Sequence, residues 1–330
     1  GYTFIDDEWY DAIINWWKTR HHFDVQKEWI VTTSGVVGAL KLAVRAFTAP
    51  GDHVMVMKPV YYPFDASINL NGRTVVECPL VFQNDHYECD FEVFEKQIVD
   101  HDVKMFILCN PHNPIGKVWS REELYQIGKI CQKHHVYVIS DEIHMDFIYA
   151  GNEHIPFYNV DPDFGDFSVI CTAPSKTFNL AALQTSNIII QNEKMREQFR
   201  KEKDASGMSD PNIFGLEACE AAYTYGAKWV DELVEYLSGN IAYMKEFFAE
   251  RLPDIKVIEP QGLYLVWVDM RSLGMKKDEL EAFMLDKAHL WLDEGYIFGT
   301  GGEGFERFNL AIPRSVLEDA CQRLLKAFGK

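Results

Sequence analysis

Apolar and polar positions along this chain follow two periods that take turns. In “VTTSGVVGALKLAVRAF” a turn at Thr33 to Gly35 leads into Val37, Leu40, Val44 and Phe47, spaced for one face of a helix. “DHVMVMKPVYYPF” reads as a strand that ends in Lys58 and Pro59, with two tyrosines beyond it. “VKMFILCNPHNPIG” is a further apolar run stopped by a double Asn/Pro turn, and the Ser-x-x-Glu pattern opening “SREELYQIGKICQKH” predicts a capped helix. “VYVISDEIHMDF” gives a strand with an acid at its carboxyl end. In “CTAPSKTFNLAALQTSNIII” a single lysine, Lys176, stands between two runs that both read as buried strand. Strands alternating with helices predict an α/β fold, a mostly parallel central sheet sandwiched by helices.

Past residue 210 the pattern changes. “WVDELVEYLSGNIAYMKEFFAERL” predicts one long helix with Val230, Leu233, Leu237, Ile241, Met244, Phe248 and Leu252 on one stripe, able to bridge two units. After Pro253, “IKVIEP”, “LYLVWVDM” and “RFNLAIP” alternate with helical stretches, which predicts a smaller α+β unit. The expected division is a large domain over 1–237 and a small C-terminal domain over 238–330. There is no internal repeat and no low-complexity segment.

Composition narrows the classes of function. With 330 residues, 47% of them hydrophobic, the chain can bury a large core in two domains. A net charge of −18 repels phosphate backbones and anionic membranes, so neither nucleic acid nor a membrane is an expected partner. Seven dispersed cysteines without a C-x-x-C argue against a disulfide framework or a thiolate zinc site, and a reduced cytoplasm is the expected location. No apolar stretch reaches the roughly 18 residues of a membrane helix, and no signal peptide is visible. The chain opens at Gly1 rather than at methionine, as expected if a segment has been removed upstream.

In open α/β sheets ligands bind outside the carboxyl ends of the strands, and the polar residues here gather at those ends. Gly35, Val36 and Val37 open a helix whose free N–H groups suit an anion such as phosphate. Tyr61 and Tyr62 can cover a flat ring, Asn113 offers an amide, Asp141 a carboxylate and Lys176 an amine. Singly, each also fits a plain role: a helix end, core packing, a turn asparagine, a capping aspartate, a solvated lysine. In conjunction they fit a flat phosphorylated pyridine aldehyde held as a Schiff base, pyridoxal 5'-phosphate, with Lys176 as its anchor.

“NPHNPIG”, “SDEIHMDF”, “APSKTFNLA” and “RFNLAIPR” resemble the fold-type I pyridoxal-phosphate enzymes of the class I/II aminotransferase family. “DEIHMDF” with “PVYYPF” resembles their MalY/PatB-type cystathionine β-lyase (C-S lyase) branch. The resemblance spans the chain and implies the aminotransferase-like fold. It implies that Lys176 forms the Schiff base, Asp141 pairs with the ring nitrogen, Asn113 binds the ring oxygen, Tyr61 stacks on the ring, and the backbone of Val36 and Val37 binds phosphate. Arg307 then clamps the substrate's α-carboxylate, and Tyr2 reaches the partner's phosphate in a homodimer. Where many aminotransferases of this fold carry a phosphate-binding arginine, this chain has Gln184, so phosphate is expected to lean on hydroxyls such as Thr172 and Ser175. His144 stands where aminotransferases often have tyrosine, which favours a lyase over a transaminase. Members of the branch carry about one more N-terminal turn and helix, so residues near the substrate are expected to be missing here.

The implied reaction is β-elimination from a small amino-acid substrate, cystathionine or a related cysteine S-conjugate, to thiol, pyruvate and ammonia. Other readings were weighed. Asp141, His144 and Asp146 can ligate a divalent ion, but no second histidine cluster supports a metallohydrolase. “GTGGEGF” precedes a strand rather than a helix, so a dinucleotide loop fails. A regulator-binding or ligand-sensing module is disfavoured by an intact Lys176, Asp141 and Arg307. The pairs His21/His22 and His134/His135 are expected on solvated surfaces, and Arg314 is expected to brace the small domain.

Overall fold

A computed structural model describes residues 4–208 and 210–329. Its larger sheet contains β1 (Ile30–Thr33), β2 (His53–Lys58) and β3 (Thr74–Pro79). A hairpin of β4 (Val81–Gln83) and β5 (His86–Glu88) follows, after which the larger sheet continues with β6 (Val103–Cys109), β7 (Tyr137–Asp141), β8 (Ser168–Thr172) and β9 (Ser186–Ile189). The strand order is β1-β9-β8-β7-β6-β2-β3. Neighbours from β8 through β3 run parallel, whereas β9 is antiparallel to both β8 and β1. The reversal has a local cause: residues 173–185 form only the short turns Pro174–Thr177 and Ala181–Leu183, and a parallel return needs a full crossover element.

Strand periodicity decides which layer each apolar residue joins. Met105 and Ile107 of β6 pack with the helices Val36–Phe47 and Glu193–Ala205, and Phe106 and Leu108 point to the other face, into a core with Trp9, Ile13, Phe94 and Leu124. The helix Arg121–Lys133 starts with a complete capping box: Ser120 Oγ accepts from the Glu123 N–H at 3.2 Å while Glu123 Oε2 accepts from the Ser120 N–H at 2.9 Å.

The smaller sheet is antiparallel, with β10 (Lys256–Val257), β11 (Leu265–Asp269), β12 (Asp293–Glu294) and β13 (Phe305–Asn309) in the order β10-β11-β13-β12. The predicted long helix spans Ala227–Arg251. Val230 belongs to the large-sheet core, and Leu237, Ile241, Met244 and Phe248 pack with Val266, Val268 and Phe308. One helix thus serves two cores. Backbone bonds from Tyr149 N–H to the Gln261 carbonyl (3.0 Å) and from Leu263 N–H to the Phe147 carbonyl (2.9 Å) fasten the turn after β7 to the entry of β11. Among the described residues no helix is long and apolar enough to cross a membrane.

Candidate active site

The carboxyl ends of the large-sheet strands converge as their sequence positions require. The helix Val36–Phe47 follows β1, Tyr61 follows β2, Asn113 follows β6, Asp141 ends β7, and Lys176 lies in the turn after β8. With Arg307 of β13 they line one cavity of about 420 Å³, to which Tyr62, His144 and Ser175 also contribute. The cleft therefore lies between the two sheets.

The helix at one end of the cleft begins without a side-chain cap, so its first N–H groups are free for an anion. Gly35 there has φ +80, and a Cβ at this position would meet Gln184 Oε1 at 2.7 Å. Both observations require glycine. On the floor, Asp141 is 4% exposed; burial pushes its carboxyl up to about 7, against the opposing pull of the Ile143 N–H at 3.2 Å and of Lys176. Burial also lowers the Lys176 amine; Asp141 opposes that shift and Arg307 adds to it. His144 is pushed down to about 3 by burial, with Lys176 and Arg307 acting the same way, so it is a neutral imidazole with its Nδ1 buried and without a partner among the described residues. The Tyr61 phenol is pushed up to about 12 by burial and by Asp141.

Arg307 donates from Nη1 to Asn113 Oδ1 at 2.8 Å and from Nη2 to Asp293, and it lies over the Phe298 ring at 4.8 Å. Asn113 thereby keeps its own NH₂ for a ligand. The guanidinium is thus fixed at the wall of the cleft, and each Nη has a second N–H beyond those two bonds. Taken together, these residues fit a flat heteroaromatic phosphate. Free helix N–H groups would suit its phosphate, and a cationic ring N–H would relieve a carboxylate whose burial otherwise disfavours its charge.

One predicted residue falls elsewhere. Thr172 does not line the cleft: it is fully buried within β8, and its hydroxyl donates across the ladder to the Asn187 carbonyl at 2.9 Å. Apolar strand context made that threonine a sheet residue, so of the two hydroxyls expected there Ser175 lines the cleft. Tyr2 lies outside the described residues. A second correction concerns His21, which is 7% exposed rather than solvated, because it closes the N-terminal helix against Asp146. His22 and His135 are exposed and His134 is half-buried. Arg314 braces Asn240 at 2.9 Å. Gln184, Thr185, Tyr264 and Asn309 line the cleft without having been assigned to it from sequence. Tyr264 sits edge-on to His144 at 5.7 Å, a contact between the two sheets that no local pattern encodes.

Comparison with known proteins agrees with this geometry. Residues 1–324 match the family model for aminotransferase class I and II. Among curated relatives, cystathionine beta-lyase PatB of Bacillus subtilis (strain 168) is 43% identical, aligned over 100% of this chain and 85% of PatB. Protein MalY of Escherichia coli (strain K12) is 34% identical, over 99% of this chain and 84% of MalY. Among solved structures, cystalysin from Treponema denticola, which contains a pyridoxal 5'-phosphate cofactor, superposes with a TM-score of 0.97 at 44% identity, covering 100% of this chain and 84% of that one. By fold, by family match and by relatives aligned along its whole length, the chain belongs to the class I and II aminotransferase family.

Proposed function

We propose that this protein is a pyridoxal-phosphate-dependent carbon–sulfur β-lyase that cleaves cystathionine or a related cysteine S-conjugate to a thiol, pyruvate and ammonia. The observation that carries this reading is one cleft lined by Lys176, Asp141, Asn113, His144 and Arg307, in a chain aligned end to end with a cystathionine beta-lyase. When bound, the cofactor supplies an electron sink for the pair left at Cα after deprotonation.

The chain's own residues do the rest. Lys176 Nζ, its basicity lowered by burial, would hold the cofactor's carbonyl carbon and, once the substrate's amine has displaced it there, would be free to take the proton from substrate Cα. Asp141 would keep the proton on the ring nitrogen, and Asn113 would donate to the ring oxygen. Tyr61 would cover a ring face, while Val36, Val37 and Ser175 would hold the phosphate. Arg307 orients the substrate by two parallel hydrogen bonds to its α-carboxylate. His144, neutral and flanked by Tyr264, offers a donor or acceptor beside the ring without adding charge.

Incubation of the pure holoenzyme with cystathionine tests this reading. Release of pyruvate, homocysteine and ammonia over many turnovers is expected, with the cofactor spectrum restored at the end. Stoichiometric amination of the cofactor without thiol release would make the protein an aminotransferase.

A homodimer is part of the proposal, supported by exposed aromatics: Phe4, Phe214 and Tyr225 are 89%, 73% and 82% exposed. Sedimentation measures it. A cytoplasmic location accords with seven free cysteines.

A further inference from the structure

Behind the cleft, the end of the helix Asp7–His21 meets the turns that follow β7 and β8. The meeting point is the carboxylate of Asp146, itself 7% exposed. Its Oδ1 accepts from the Trp16 indole N–H at 3.1 Å and from His21 Nε2 at 3.0 Å, and its Oδ2 accepts from the Thr177 hydroxyl at 2.7 Å. Three segments far apart in sequence are joined through two oxygens. Burial pushes the Asp146 carboxyl up, but donation by His21 and Thr177 and the charge of Arg20 more than offset this, and the group stays below the usual carboxylate range. Burial lowers the His21 imidazole, against the opposing pull of the Asp146 carboxylate beside it.

Thr177 immediately follows Lys176, in a helical turn of only four residues, Pro174–Thr177. So short a turn has little hydrogen bonding of its own to fix where its lysine points. The anchors come from outside. Phe178 is packed by the edge of Trp16 at 5.5 Å and stacked on Trp229 at 5.7 Å, and the Thr177 hydroxyl ties the turn to a charge, the stronger class of hydrogen bond.

We propose that Asp146 is a positioning residue for Lys176, acting through Thr177 and itself fixed from the N-terminal helix by Trp16 and His21. The inference rests on the reading of Lys176 as the amine that holds the cofactor. It assigns a role to a carboxylate that touches neither cofactor nor substrate, and it makes the N-terminal helix part of the catalytic geometry. Misplacing a reacting group by about 1 Å can cost on the order of 10²-fold in rate, so the loss of one anchor is expected to appear in kcat.

The test compares Thr177→Val with Thr177→Ser as holoenzymes at matched cofactor content. Thr177→Val, which keeps the shape and removes the donor, is expected to lower kcat about 10-fold with KM unchanged, and to weaken the visible circular dichroism of the bound cofactor. Thr177→Ser, which keeps the donor, should restore both. If Thr177→Val matches wild type in kcat and dichroism, or if Thr177→Ser is as impaired as Thr177→Val, the positioning role is wrong. Borohydride reduction of wild-type holoenzyme followed by peptide mapping separates the two layers of the argument. Label on Lys176 is expected. Label elsewhere removes the reading of Lys176 and this inference with it, whereas label on Lys176 with an unaffected Thr177→Val removes this inference alone.

Discussion

Asp141 and Asp146 lie on one short stretch of chain and are almost equally buried, yet their surroundings act in opposite directions. Asp141, on the floor of the cleft, accepts from the Ile143 N–H and is pushed up to about 7 by burial. Asp146, behind the cleft, accepts from three side chains and is held below its usual range. One carboxylate is left wanting a cation, as a site that binds one requires. The other is fully supplied by the fold, as a structural anchor requires. Burial alone therefore does not distinguish a site from a scaffold; the donors already present do.

The contrast can be broken most severely at the lysine both regions serve. Lys176→Ala is expected to abolish the visible absorbance of lysine-bound cofactor and to lower turnover by about 10³–10⁴-fold; a variant retaining both would sink the lysine assignment. Asp141→Asn should keep part of the cofactor but lose about 10²–10³-fold in kcat, the scale of one preorganised electrostatic group. Near wild-type turnover in that variant would make Asp141 merely structural.

Arg307→Ala is expected to weaken binding of substrate, or of an unreactive amino-acid analogue, by about 2–5 kcal/mol. Titration of the cofactor spectrum with the analogue measures it, and unchanged affinity would move the clamp to another group.

The smallest effect sharpens the comparison by sign. In cofactor-free protein the raised Asp141 binds its proton more tightly folded than unfolded, so stability falls as pH rises from its unfolded value towards about 7. Asp141→Asn should remove roughly 2 kcal/mol of that fall between about pH 5 and pH 6.5. Asp146, with its lowered value, contributes stability that is present above its unfolded pKa and is lost as pH falls through the folded one. Asp146→Asn should therefore be less stable than wild type at neutral pH and converge on it in acid. Denaturant midpoints across pH measure both, and slopes of the same sign for the two variants would refute the contrast.

Much of the cleft was legible because several of its residues stand at, or just past, the end of a strongly patterned strand. Asn113 stands in the double Asn/Pro turn after an apolar run, Asp141 ends a buried strand and Lys176 lies just past another, so their place at the ligand edge follows from the sheet alone. Thr172 was misplaced because a hydroxyl at a strand end reads the same whether it faces a ligand or a neighbouring carbonyl. His21 was misread because a histidine pair at a helix end resembles a solvated surface, and its partner Asp146 is 125 residues away.

The sequence by itself determined the alternation of strands and helices, the order in which chemical groups arrive at the sheet's edge, and the long helix that serves two cores. These are matters of local period and of turn chemistry, which neighbouring residues settle among themselves. Tertiary structure alone decided that Arg307 shares Asn113, that Tyr264 faces His144, and that Trp16, His21 and Thr177 meet on Asp146. Each joins segments distant along the chain, and whether a buried polar group is left waiting or already satisfied depends on which distant donor the packing delivers.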